Sequence, residues 1–186
     1  MIANIASIIS YSAISNSDIV GLNIFGKRLH DTILPSKKLY TTENIVNHIL
    51  EFDNSNISPD YAIITKEISK LKIKSLIFII GDFLIKDLKL DIHKLGFKHD
   101  IVAIIIRDTK EENPLELTSS QKSEYIDIES KVSKQFVMSS SLIENYRHNI
   151  KNHDDGLKKY FDIHNIRFSK IYSDEDPFLK LAKVFR

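Results

Sequence analysis

Ser75-Leu76-Ile77-Phe78-Ile79-Ile80-Gly81-Asp82-Phe83 is the stretch from which the architecture follows. An unbroken apolar run of this length, rich in branched and aromatic side chains, suits a strand covered on both faces, as at the centre of a parallel sheet. Asp82 then sits just past the carboxyl end of that strand. Ligands in open α/β sheets bind at that edge, which makes Asp82 a candidate functional residue. The same residue also suits a plain role, capping the next helix or turn.

Downstream, Leu84 to Leu95 reads as a helix stopped by Gly96, and Ile101 to Ile106 reads as a second doubly covered strand ending in Arg107-Asp108. Two such strands joined by a helix form a crossover unit, so the pattern predicts a parallel centre to the sheet. Upstream, apolar residues at Ile2, Ile5, Ala6, Ile9 and Ala13 recur at helical spacing. Ile19 to Phe25 reads as a strand closed by Gly26, and the segment to Leu34, stopped by Pro35, as an edge strand. Thr42 is expected to cap a helix carrying Ile45, Val46, Ile49 and Leu50, and Pro59 to open one carrying Ile63, Ile64, Ile68 and Leu71.

Beyond Arg107 the pattern changes, and an insertion at about residues 109–137 is expected to form a hairpin appended to the main sheet. Ser141-Leu142-Ile143-Glu144 has capping-box spacing. The helix it opens carries Leu142, Tyr146, Ile150, Leu157 and Phe161, with a kink expected at Asp154-Asp155-Gly156. Ile166 to Tyr172 reads as a last strand, and Ser173 to Pro177 as the cap of a final helix with Phe178, Leu181 and Val184.

A chain of 186 residues is the size of one domain with a full core. Its 26 basic and 25 acidic residues leave a net charge of +1, so no global field points to nucleic acid or an acidic membrane surface. The absence of cysteine excludes disulfides, thiolate metal sites and a cysteine nucleophile. Met1 to Ala13 lacks a basic leader and is too short to span a bilayer; it is expected to be a helix of the domain, with a signal peptide as the second reading, and the compartment expected is the cytoplasm.

No glycine-rich phosphate loop occurs among only five glycines. His148 and His153, five residues apart, fall on different helix faces rather than forming a metal-binding pair. Ser139 to Ser141 lack the glycine-flanked elbow of a nucleophile. The oxygens that invite chemistry are those of Ser58 and Asp82, each expected where a loop meets a helix at one sheet edge. Such ligands suit a hard cation such as magnesium.

The order of segments resembles a bacterial family known as domain of unknown function fifty-eight. The resemblance rests on Asp18-Ile19-Val20-Gly21-Leu22-Asn23-Ile24-Phe25-Gly26, Gly81-Asp82-Phe83, His99-Asp100-Ile101-Val102-Ala103, Asp108-Thr109-Lys110-Glu111 with Pro114, Asp127-Ile128-Glu129-Ser130, and Ser173 to Pro177. It implies an α/β, von Willebrand factor A-like (Rossmann-like) fold, a mostly parallel sheet with helices on both faces. It also implies an adaptor role beside MoxR-type AAA+ ATPases, and a metal-ion-dependent adhesion site. In that site Asp82 matches the third-loop aspartate, and Ser58 falls near the second-loop position.

The first-loop Asp-x-Ser-x-Ser of the family is absent. The chain is therefore expected to be a single domain over residues 1–186, truncated at its amino end, with its first strand missing. That strand would lie between Ile19–Phe25 and Ser75–Ile80, and without it these two would stand about 9.6 Å apart, twice the usual strand spacing, with both facing edges unpaired. Magnesium is expected to bind weakly or not at all to the degenerate site. The function expected is that of a non-enzymatic protein-interaction module, with a MoxR-type ATPase or its client complex as partner and no nucleic acid or membrane. The alternatives are a magnesium-assisted hydrolase using Asp82 and Asp108, and a non-functional truncated family member.

Overall fold

Ile101 to Ile105 are buried without interruption, so the strand that carries them must have cover on both faces. In the computed structural model, which describes residues 1–53, 60–84, 90–112, 123–126, 133–136 and 140–184, this strand is β4 (Asp100–Arg107). β3 (Leu76–Gly81) pairs parallel to one side of it, Leu76 beside Asp100 and Gly81 beside Ile105. β7 (Arg167–Tyr172) pairs parallel to the other, Val102 beside Arg167 and Arg107 beside Tyr172.

Alternation of side chains divides the interior into two cores. Ile77, Ile79, Ile101, Ala103 and Ile105 point to the first. Covering them are α3 (Tyr61–Ile68), the short 3-10 helix η1 (Ile92–Phe97), and α5 (Ser140–Ile163) with Leu157 and Phe161. Phe78, Ile80, Val102, Ile104 and Ile106 point to the second, under Ile5 of α1 (Ile2–Ser15) and Leu181 of α6 (Pro177–Val184). Each fully buried Ile, Leu or Phe contributes about 1.5–3 kcal/mol through the water it sheds. The molecule is thus a mixed α/β fold with a parallel three-stranded sheet and helices on both faces.

β1 (Val20–Phe25) and β2 (Leu29–Ser36) form an antiparallel sheet of their own, with α2 (Tyr40–Glu51) following. β1 does not pair with β3, and among the described residues β4 is the only strand beside β3. The cost is visible along β3. Its sequence is as apolar as that of β4, yet Leu76 is 48% exposed and only Ile79 is buried. Beyond β4 a single helical turn, α4 (Thr109–Glu112), precedes the hairpin of β5 (Ser123–Ile126) and β6 (Ser133–Phe136). That hairpin is a separate two-stranded sheet rather than an extension of the main one. No helix among the described residues is long and apolar enough to cross a membrane.

Several local expectations are corrected. Pro35 does not stop β2, which runs on to pair Ser36 with Val20, because an edge strand can do without one donor. α2 starts before Thr42, and its N-cap Leu39 offers no side-chain bond. Asp60 caps α3 by accepting from the amide of Ala62 at 2.9 Å, and Pro59 lies outside the described residues. The helix expected over Leu84 to Leu95 falls partly on residues 85–89, which lie outside the described ones; Leu84, Leu90 and Asp91 are not helical, and Gly96 lies inside η1. α5 runs unbroken through Asp154-Asp155-Gly156, where a buried Leu157 and the ion pairs of Asp154 outweigh the local helix penalty. It opens at Ser140, and the side chains of the expected capping box at Ser141 and Leu142 lie outside the described residues.

β1 passes so close to β2 that a Cβ on Gly21 would stand 2.8 Å from the carbonyl oxygen of Ile33, whereas one on Gly96 would meet nothing within 4 Å. Gly21→Ala is therefore expected to destabilise the chain by about 1–3 kcal/mol, since neither backbone can yield cheaply. Gly96→Ala should stay within about 0.5 kcal/mol of the parent. Urea denaturation of both variants checks this; equal midpoints would show that the hairpin is not packed as described.

Candidate functional site

The carboxyl edge of the sheet is formed by the ends of β3, β4 and β7, and it gathers Arg107, Glu112, Asp154 and Lys170. After Gly81 the backbone turns sharply. Phe83 takes a left-handed conformation (φ 55°) that few side chains adopt, and is held there by complete burial between Tyr61 and Phe161, with ring centroids 5.4 and 5.8 Å away. Asp82 is left exposed at the crest of the turn, where its Oδ1 accepts from the amide of Leu84 at 3.0 Å. This is the turn-capping role, set by the swing of Phe83 into the core.

Below the turn, burial pushes the phenol of Tyr61 well above its ordinary range, the charge of Asp82 adds to the rise, and Arg107 opposes it. Asp108 is half-buried just past β4, three residues beyond the Ile105 that pairs with Gly81. Asp82 and Asp108 therefore stand at the same edge on neighbouring strands. Ser58, the other expected ligand, lies outside the described residues.

Asp82 commits one carboxylate oxygen to its own turn, and among the described residues no group of three His, Asp or Glu side chains that could hold a metal ion gathers.

What occupies the edge is an ion network that the sequence did not single out. Arg107, 3% exposed at the end of β4, donates from Nη2 to Asp154 Oδ1 of α5 at 3.1 Å, and its Nε stands 3.5 Å from Glu112 Oε1 of α4. Lys170 of β7 donates to Asp154 Oδ2 at 2.6 Å and to Glu112 Oε1 at 2.5 Å. Tyr172 donates its hydroxyl to Glu112 Oε2 at 2.8 Å, and the amide of Ser173 bonds the carbonyl of Arg107 at 2.9 Å. Two cations and two carboxylates close one neutral ring across two strands and two helices.

Burial alone would raise the pKa of Asp154, but the bonds and charges of Lys170 and Arg107 outweigh it and hold the carboxyl below its ordinary value. For Lys170, burial would lower the value, and the bonds from Asp154, Glu112 and Tyr172 carry it above the ordinary lysine range. The network is not fully satisfied: within it, Arg107 Nε and Nη1 are buried without a hydrogen-bond partner. Its chemistry is that of a clamp. The sequence signals were charges in apolar places, Arg107 closing a run of isoleucines and Lys170 inside the last strand, but nothing in spacing reveals that they share partners.

The sign of the pH dependence follows from these shifts. Asp154 stabilises the fold at neutral pH and loses that contribution as pH falls through its depressed folded value. Lys170 stabilises below its unfolded value and loses its contribution as pH rises through its raised folded one. Stability is expected to be flat across neutral pH and to fall at both extremes. Asp154→Asn should cost about 3 kcal/mol at pH 7 and make the acid fall shallower. Urea midpoints from pH 2 to 7 measure both, and a variant whose midpoint parallels the parent at every pH would contradict the network.

No curated protein and no solved structure matches the chain. The family model described as "Protein of unknown function DUF58" matches residues 1–155. The order of segments from α1 through the two central strands and into α5 is thus a family pattern, and the chain belongs to the DUF58 family.

Proposed function

We propose that this chain is a non-enzymatic protein-interaction module on a von Willebrand factor A-like scaffold, and that it binds its partner by taking up an extended strand along the edge of β3 opposite β4. The observation that carries the reading is that edge. Leu76 to Gly81 holds no charge, proline or bulge, the devices by which exposed edges normally avoid pairing, and β4 is its one strand neighbour among the described residues. A strand laid there extends the parallel sheet by main-chain bonds, the mode known as β-augmentation. The faces of β3 turn toward both cores, so the incoming segment is expected to be apolar at successive positions rather than alternating.

At the carboxyl edge, Arg107, Lys170, Asp154 and Glu112 are engaged with one another, and Asp82 and Asp108 stand outside that ring. The family resemblance names the partner as a MoxR-type AAA+ ATPase or its client complex, with the module acting in the cytoplasm as an adaptor. A hydrolase built on Asp82 and Asp108 draws no support from the ring that fills the edge beside them.

Leu76 is exposed enough to accept a charge without unfolding the chain. Leu76→Lys is expected to weaken binding to the purified MoxR-type ATPase by about tenfold or more, measured by calorimetry, because a gatekeeper lysine opposes edge pairing. Asp82→Ala should leave binding unchanged. Undiminished binding by Leu76→Lys would overturn the edge as the docking element, and a phosphatase activity lost in Asp82→Ala would overturn the non-enzymatic reading.

A further inference from the structure

At the amino edge of the sheet, opposite the ion network, two connections carry exposed apolar side chains among lysines. Lys72-Ile73-Lys74 leads into β3, and Gly96-Phe97-Lys98 closes η1 ahead of β4. We infer that this tip docks on a membrane surface bearing anionic lipid headgroups, with Ile73 and Phe97 entering the headgroup layer while the lysines meet its charge. The inference does not depend on the β3 edge as a protein-docking element.

The two connections are tied into one unit. Lys98 donates its ammonium group to the carbonyl of Leu71. The amide of Asp100 donates to the carbonyl of Ser75 at 3.0 Å, and the amide of Ser75 to His99 Nδ1 at 3.3 Å. Lys74 and Asp100 add an ion pair at 3.2 Å. Ile73 and Phe97 each stand three residues ahead of the strand pair Leu76 and Asp100, which sets them at the same end of the sheet. Ile73 is 79% exposed and Phe97 92%. Side chains so bare keep nearly all their hydration in the isolated chain, and a surface that covers them gains the full hydrophobic contribution of both.

Charge selects the partner. Residues 66–75 and 91–100 hold six lysines against three carboxylates, a net of +3 in a chain whose total is +1. Glu67, Asp91 and Asp100 pair with Lys70, Lys94 and Lys74, so the charge of Lys66, Lys72 and Lys98 is uncompensated within the two segments. The overall balance that argued against a membrane partner conceals this local excess. An anionic bilayer answers to such a field as a whole, without needing any one ammonium group to be released from its neighbour.

The apolar residues narrow the choice further. A fluid headgroup layer admits protruding side chains with no matching pocket. Lysine stems can lie along the tip while their ammonium groups reach the phosphates. A single-stranded polynucleotide would be held by stacking on flat groups, and Ile73 offers none.

The full chain is tested by sedimentation with vesicles of phosphatidylcholine alone and of phosphatidylcholine mixed with phosphatidylserine. Binding is expected to the mixed vesicles at low salt, at least about tenfold weaker to phosphatidylcholine, and largely lost at high salt. Ile73→Ser with Phe97→Ser, and separately Lys72→Glu, should each weaken it about tenfold or more. These positions are exposed, so the fold is spared. Leu34→Ser, at a 77% exposed leucine of β2, should change nothing. The chain has no tryptophan, so Phe97→Trp supplies a single reporter whose emission should shift to the blue on mixed vesicles. The inference is overturned if mixed vesicles are not bound at low salt, if phosphatidylcholine binds as well, if the reporter does not shift, if the serine variant binds like the parent, or if polyuridylate is bound in preference to the vesicles.

Discussion

β4 has no face that tolerates water, and the rest of the structure depends on satisfying that demand. Val102 and Ile104 require α1 and α6 on one side; Ile101, Ala103 and Ile105 require α3, η1 and α5 on the other. Its two main-chain edges are met by β3 and β7. Once those helices are in place, the strand ends meet at two edges of contrasting chemistry. The carboxyl edge is closed by the ring of Arg107, Asp154, Lys170 and Glu112. The amino edge presents Ile73 and Phe97 to solvent among lysines.

The same demand falls on β3 and is met only in part. Phe78 and Ile80 reach the core under α1, and Ile77 and Ile79 the core under α3, so its faces are those of an interior strand. Its position is that of an edge among the described residues. A strand with an interior sequence at an edge position is a surface prepared for pairing. The hairpin of β1 and β2 does not relieve it, because among the described residues those strands pair with each other and not with β3.

The sequence disclosed the central strands because continuous apolar runs such as Leu76 to Ile80 and Ile101 to Ile106 admit few other readings at that length, and the parallel pairing followed from the helical pattern between them. The faces of α1, α5 and α6 were legible in part: Ile5, Leu157, Phe161 and Leu181 are buried, whereas Tyr146 and Phe178, expected on the same faces, are 43% and 60% exposed. Caps were less legible. Thr42 and Asp60 have equal standing as polar residues ahead of apolar ones, and only the path of the chain chooses between them. The candidate site was half legible. Asp82 was found from its place after a strand, but its partner turned out to be an amide two residues on. The ring at the carboxyl edge and the basic, apolar tip at the amino edge were not found, because Arg107 meets Asp154, and the connection of Ile73 meets that of Phe97, only through the tertiary fold.

Amide hydrogen exchange of the isolated chain, resolved residue by residue, tests the central claim most directly. In a parallel pair, alternate residues of a strand turn their amides to opposite sides. With β4 bonded on both edges and β3 on one, exchange should be uniformly slow across Val102 to Ile106, and should alternate between slow and fast along Leu76 to Gly81. Uniformly slow exchange through Leu76 to Gly81 would show that both edges of β3 are already occupied within the chain, and would contradict the account.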